Sequence, residues 1–164
     1  MVVYIVRHAW AEEADDTAWP DDSQRPLTAE GRKRFAAMVR TLADRGFAPE
    51  VIATSPLVRC RETAEIMAKH VRGKPKVVEL EALAPGSDMS RLLKWIQREA
   101  AKGAEVACVG HAPDVGHLLA AFIGDAKAAV RFAKGAVAAV EFAGSARPGE
   151  GELLWLVSAK LLGC

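Results

Sequence analysis

Three short stretches of the chain hold residue types suited to handling a phosphoryl group. Arg7-His8 follows the apolar run Val2–Val6, Gly110-His111 follows the run Glu105–Val109, and Arg59 lies shortly after Thr54-Ser55-Pro56. An imidazole can serve as nucleophile, as general acid or base, or as metal ligand. A guanidinium is a permanent cation whose fork of donors fits phosphate oxygens. Two of each in one place could bind a phosphoryl group and attack it. Singly they mean little, because a lone histidine after a strand is more often structural and a lone helix arginine is usually a surface charge. Everything depends on whether the intervening elements bring them together.

Those elements can be read from local pattern. Val2–Val6 is rich in β-branched residues and reads as a buried strand. Residues 9–26 read as a loop with acids at Glu12, Glu13, Asp15, Asp16, Asp21 and Asp22. Thr28 can N-cap a helix with Glu30 in its first turn, an apolar face of Phe35, Met38, Val39 and Leu42, and a stop at Gly46. Glu50–Thr54 is a second strand. Ser55 reads as the N-cap and Pro56 as the first residue of the next helix, which buries Cys60, Ala64, Met67, Ala68 and Val71. Lys76–Glu79 is a weaker strand, and a third helix starts near Ser87 or Asp88 and buries Met89, Leu92, Leu93 and Ile96. Glu105–Val109 is a further strand. Pro113 opens a helix carrying Val115, Leu118, Leu119 and Phe122, and Gly135–Phe142 and Glu152–Ser158 form a closing pair that can run antiparallel.

This alternation predicts a single α/β domain over residues 1–164. It would be a three-layer α/β/α arrangement, with a mostly parallel central sheet of about six strands and helices on both faces. Ligands in such sheets bind beyond the carboxyl ends of the strands. If the first strand neighbours Glu105–Val109, then Arg7, His8 and His111 meet in one crevice that Arg59 can reach. Helix N-termini there would add positive dipoles suited to phosphate.

The bulk properties narrow the alternatives. With 22 Lys+Arg against 21 Asp+Glu, the net charge of +1 speaks against a nucleic-acid or anionic-membrane surface. Cys60, Cys108 and Cys164 are odd in number and widely spaced, which suggests neither a disulfide framework nor a zinc knuckle. The first apolar run ends at Arg7, too short for a membrane span or signal peptide, so a cytoplasmic protein is expected, and separately a monomer. The chain has neither a P-loop nor a dinucleotide fingerprint, and neither Cys60 nor Cys108 opens an anion-cradling loop. The spacing of His111 and His117 fits no common metal-ligand pair, so no metal and no cofactor is expected.

Longer segments carry a resemblance. Val6-Arg7-His8 and Val109-Gly110-His111-Ala112-Pro113 resemble the two signature segments of the histidine phosphatase superfamily. Asp22 to Thr28, Gly31-Arg32, Thr54-Ser55-Pro56 through Arg59 to Thr63-Ala64, Leu83 to Gly86 and Lys134-Gly135-Ala136 are similar to the SixA-type phosphohistidine phosphatases, along nearly the whole chain. That resemblance implies a phosphoglycerate-mutase-like fold and attack on phosphorus by His8, giving a phosphohistidine that water hydrolyses. Arg7, Arg59 and His111 would form the clamp, and nearby guanidiniums should lower the pKa of His8.

Two assignments stay open at this point. Arg25 is a candidate for a further phosphate contact or a loop anchor. Esterases of this superfamily use a carboxylic acid to protonate the leaving alkoxide, and Glu79, Glu81 and Asp88 flank the right loop, with Glu81 the candidate. A phosphohistidine substrate relieves that need, because imidazole leaves more easily than alkoxide. The expected partner is a phosphohistidine-bearing signalling or phosphotransfer domain, since the chain has room for little beyond the 9–26 loop over the crevice. Alternatives are a broad small-molecule phosphomonoesterase on the same site and a catalytically silent phosphoprotein-binding module.

Overall fold

A computed structural model describes residues 1–86 and 88–164. The strands are Val2–Arg7 (β1), Val51–Thr54 (β2), Lys76–Glu79 (β3), Val106–Gly110 (β4), Val137–Phe142 (β5) and Gly151–Val157 (β6). The helices are Ala29–Ala43 (α1), Val58–His70 (α2), Met89–Ala100 (α3) and Asp114–Phe122 (α4). One mixed sheet has the order β3-β2-β4-β1-β5-β6. β3, β2, β4 and β1 pair in parallel, while β5 is antiparallel to both β1 and β6.

The chain first moves outward along the sheet, through α1 to β2 and through α2 to β3. It then returns through α3 to β4, which inserts between β2 and β1. Because parallel crossovers are right-handed, the two directions of travel put their helices on opposite faces. Phe35 and Met38 of α1 and Cys60 and Met67 of α2 pack on one side, against Val6, Ile52 and Val109. On the other, Leu92 and Ile96 of α3 and Leu119 and Phe122 of α4 pack against Ile5, Ala53, Cys108 and Val140. Central strands covered on both faces need apolar side chains throughout, which is why β1 and β4 are continuous apolar runs rather than alternating ones. The sheet thus has the expected layers and mostly parallel order.

Most helix ends follow the sequence signals. Thr28 caps α1 by accepting from the Gly31 N–H at 2.8 Å, and Gly46, with φ of 95°, ends the turn that follows it. Asp88 caps α3 through the Ser90 N–H; Ser87, the other expected start, lies outside the described residues. Trp95 joins the buried face of α3, whereas Met89 and Leu93 are half-buried. The expected start of α2 needs correction. The helix begins at Val58, not at Pro56, and Ser55 does not cap it: Leu57 is the N-cap, without a side-chain bond. The Ser55 hydroxyl has a different partner, His111.

Candidate active site

The strand order makes β1 and β4 neighbours and places β2 beside β4, so the chemistry-bearing residues converge on one sheet edge. Arg7 closes β1 opposite Gly110 of β4. The His8 N–H donates to the Gly110 carbonyl at 3.0 Å, and the His8 carbonyl accepts from the Gly135 N–H at 3.0 Å. His8 is therefore held by backbone from both sides, a reason for it to stand just past the strand rather than in a free loop. Ser55 is tied to the same edge by its N–H to the Val109 carbonyl at 3.0 Å. The Thr63 hydroxyl accepts from the Ala9 N–H and donates to the Arg59 carbonyl, joining the β1 exit to the first turns of α2.

His8 and His111 lie with ring centroids 5.3 Å apart and are 8% and 4% exposed. Nδ1 of His8 is 2.7 Å from the Ala9 carbonyl oxygen. A carbonyl oxygen can only accept, so Nδ1 carries the proton and neutral His8 keeps its lone pair on Nε2. Burial is the largest cause lowering the His8 pKa to about 3, with smaller contributions from His111, Arg59 and Arg7. Burial likewise leads in lowering His111 to about 4, followed by Arg59, with Asp114 and Asp22 opposing. For His8 the sequence points to the two guanidiniums and a helix N-terminus as the cause; desolvation does more. Both imidazoles are neutral near pH 7.

Arg59 is buried in the first turn of α2. Its Nη1 donates to the Asp22 carbonyl at 2.8 Å and its Nη2 pairs with Asp22 Oδ2 at 3.0 Å. Arg7 Nη1 donates to the Phe132 carbonyl at 2.8 Å. These bonds aim the guanidiniums without consuming them. The Nε atoms of Arg7 and Arg59 are sealed from solvent and have no partner among the described residues. Buried donors left unmatched are costly, about 1–3 kcal/mol each, and are rare away from functional sites.

The remaining candidates separate. Arg25 ties the loop to itself, its Nε pairing with Asp22 Oδ1 at 2.8 Å and its Nη1 donating to the Glu12 carbonyl at 2.7 Å. Trp10 packs down the base of the 9–26 loop, accepting from the Thr28 N–H and lying under the Arg34 guanidinium. Glu81 is exposed in a 3-10 turn and lines a groove with Arg91, Lys94 and Arg98, not the cavity that touches His111. That cavity, about 280 Å³, has an apolar lining including Leu83, Met89 and Val115, with Asp114 and His117 as polar members. Glu79 instead faces Arg61 at 3.6 Å, and Asp88 is the α3 cap. Among the described residues no group of three or more His, Cys, Asp or Glu could hold a metal. Nor is any described helix long and apolar enough to cross a membrane.

Residue pattern alone missed two groups at the site. Asp22 looks like its acidic loop neighbours, yet it holds Arg59. Ser55 carries a capping signal, yet it touches His111. The only sequence signal for either was its membership of a motif-like segment.

A family model for branch 1 of the histidine phosphatase superfamily matches residues 3–84. The chain belongs to the histidine phosphatase superfamily. This phosphatase is 40% identical over 117 residues to an uncharacterised protein of Picosynechococcus, covering 71% of the chain and 69% of that relative. It is 31% identical over 121 residues to the phosphohistidine phosphatase SixA of Escherichia coli, covering 73% of each. Among solved structures, the protein histidine phosphatase SixA complexed with tungstate superimposes with a TM-score of 0.86 at 27% identity, covering 99% of both chains. Arg7, His8 and Arg59 of the phosphatase all fall within the matched segment, while His111 lies beyond it.

Proposed function

We propose that this phosphatase removes phosphate from phosphohistidine on a protein, using His8 as nucleophile and Arg7, Arg59 and His111 as the clamp. The observation that carries the reading is the convergence of the Arg7 and Arg59 guanidiniums and His111 on a neutral His8 at one sheet edge, with terminal N–H donors of both arginines left over from their protein bonds. Such donors fit the equatorial oxygens of a phosphoryl group in transfer. In the first step Nε2 of His8 attacks phosphorus, the substrate P–N bond breaks, and its electron pair stays on the departing imidazole, which leaves neutral because its other ring nitrogen carries a proton. Nδ1–H of His8 remains bonded to the Ala9 carbonyl throughout, so phospho-His8 is an imidazolium. Water then attacks the phosphoryl group, one of its protons passes to a phosphoryl oxygen, and the P–N pair returns to Nε2 as dihydrogen phosphate leaves.

Two further points support phosphohistidine. None of Glu79, Glu81 and Asp88 lines the cavity beside His111, where Asp114 is the carboxyl group present, and a P–N bond needs less proton donation than an ester. SixA, a phosphohistidine phosphatase by name, is the relative with an assigned activity given above, and its structure holds tungstate, a tetrahedral oxyanion like phosphate. The apolar cavity beside His111 favours a second reading, a small phosphomonoesterase with an apolar alcohol as leaving group. Turnover of a phosphohistidine protein, a phosphohistidine peptide and a panel of metabolite monoesters separates the two. Phosphohistidine should be hydrolysed at least about 100-fold faster in kcat/KM, roughly 2.7 kcal/mol of discrimination. Comparable rates on phosphoserine peptides or metabolites would remove the phosphohistidine assignment.

A further inference from the structure

We propose that Ser55 is a positioning residue that locks His111 in the tautomer with its proton on Nδ1, the nitrogen left free to face a ligand. Ser55 is fully buried, and its Oγ lies 2.9 Å from Nε2 of His111. The Leu57 N–H points at the same oxygen at 3.4 Å, supplying a donor that leaves the Ser55 proton free to go elsewhere. The Cys60 thiol stands 3.4 Å from Nε2 as well, and burial pushes its pKa up to about 12, so it remains an S–H. The single S–H of Cys60 goes to the Gly110 carbonyl at 3.7 Å, so of the two groups that Nε2 faces the Ser55 hydroxyl is the one with a proton to give. Nδ1 has no partner among the described residues and is not sealed from solvent.

The placement decides the sign of an interaction. Neutral imidazole has one N–H and one lone pair. With the proton on Nε2, His111 would turn a lone pair toward an incoming phosphoryl oxygen and repel it. With Nε2 accepting from Ser55, His111 turns an N–H toward the same oxygen and donates. A hydroxyl behind the ring, rather than a carboxylate, sets the tautomer without raising the pKa enough to make His111 a cation. This also explains why the Ser-Pro after β2 does not cap α2: its hydroxyl is committed to β4's exit. The tautomer follows from the geometry alone; its effect on rate rests on the phosphatase reading.

The test is long-range proton–nitrogen NMR on protein with 15N-labelled histidine at pH 7, with His111 assigned by loss of its signals in His111→Asn. In the wild type, Nδ1 of His111 should resonate as protonated and Nε2 as an unprotonated acceptor. Ser55→Ala should move His111 toward the Nε2–H form and reduce kcat/KM by about tenfold or more, whereas Ser55→Thr should restore the wild-type nitrogen pattern. In a serine protease triad, a wrong histidine tautomer costs about 10⁴ in rate. A wild-type spectrum showing Nε2–H would overturn the proposal. So would a Ser55→Ala spectrum identical to wild type. Should Ser55→Ala not fold, Ser55→Cys, a weaker donor of similar size, must shift the tautomer populations, and an unshifted spectrum refutes the lock. If the tautomer responds as expected while activity does not, the phosphatase reading fails and the lock stands.

Discussion

On the proposed mechanism, replacing Arg59 by alanine removes a group that holds charge during transfer, and its cost can be worked from its bonds. A guanidinium has five N–H donors. Asp22 takes two of them, one through its carbonyl and one through its carboxylate. That leaves Nε–H and one further N–H on each terminal nitrogen. If two reach phosphoryl oxygens, at about 1.5–3 kcal/mol for a charged hydrogen bond, the clamp is worth roughly 3–6 kcal/mol. Loss of a single oxyanion donor typically costs about 10²–10³ in rate, and an arginine in phosphoryl transfer about 10³–10⁵. The expected fall in kcat/KM for Arg59→Ala is therefore about 10²–10⁴-fold, or roughly 3–5 kcal/mol of barrier. Arg59→Lys keeps the charge but loses the fork and should fall between Ala and wild type. The assay is steady-state hydrolysis of a phosphohistidine peptide, with Tm recorded for each variant. Asp22 loses one of its two arginine partners in Arg59→Ala, but it keeps Arg25, and its side chain is 55% exposed and can turn to water, so the fold should survive. A folded Arg59→Ala protein with kcat/KM within threefold of wild type would refute the reasoning.

Other perturbations have equally definite outcomes. Folded His8 and His111 titrate near 3 and 4, against about 6.5 when unfolded, so between those limits the unfolded chain binds more protons. Stability should fall as pH drops from about 6.5, and His8→Asn should flatten that dependence in urea titrations; an unchanged slope would contradict the buried, neutral assignment. For the same reason kcat/KM should show no enzyme limb near pH 6.5. Gly31→Ala should destabilise the fold by about 1–3 kcal/mol, because a Cβ there meets the Trp10 carbonyl and approaches Trp10 Cβ to 2.9 Å. Thermal unfolding measures it, and a Tm equal to wild type would show that the loop gives way freely. Asp22→Asn removes a negative charge beside Arg59 and leaves one acceptor oxygen where the carboxylate serves Arg25 and Arg59 with two, while the Asp22 carbonyl still holds Arg59. It should bind inorganic phosphate more tightly, read as a lower inhibition constant, and weaker binding would show that the Asp22 carboxylate is needed to hold the clamp.

The sequence carries the sheet and the four helices well because each has a strong local cause. β1 and β4 are apolar throughout because both faces are covered, and α1 shows both its Thr28 cap and its buried stripe. The convergence of Arg7, His8 and His111 was legible for a related reason: both histidines stand just past strands, and a mostly parallel sheet gathers such ends. What local pattern does not hold is a contact between distant segments. Ser55 before Pro56 is a strong capping signal, and nothing nearby says that its hydroxyl belongs to His111, 56 residues away. Asp22 looks like its acidic neighbours until the loop folds back to place it on Arg59, 37 residues on. Trp95 sits among charged neighbours on α3, and its burial follows from how that helix lies on the sheet.

Whether His8 itself carries the phosphoryl group is tested most directly by rapid quenching with a ³²P-labelled phosphohistidine donor. Stoichiometric, acid-labile and base-stable label should appear on wild-type protein, map to the peptide containing His8, and be absent from His8→Ala. Label that persists in His8→Ala, or turnover by that variant at the wild-type rate, would contradict the assignment of His8 as nucleophile.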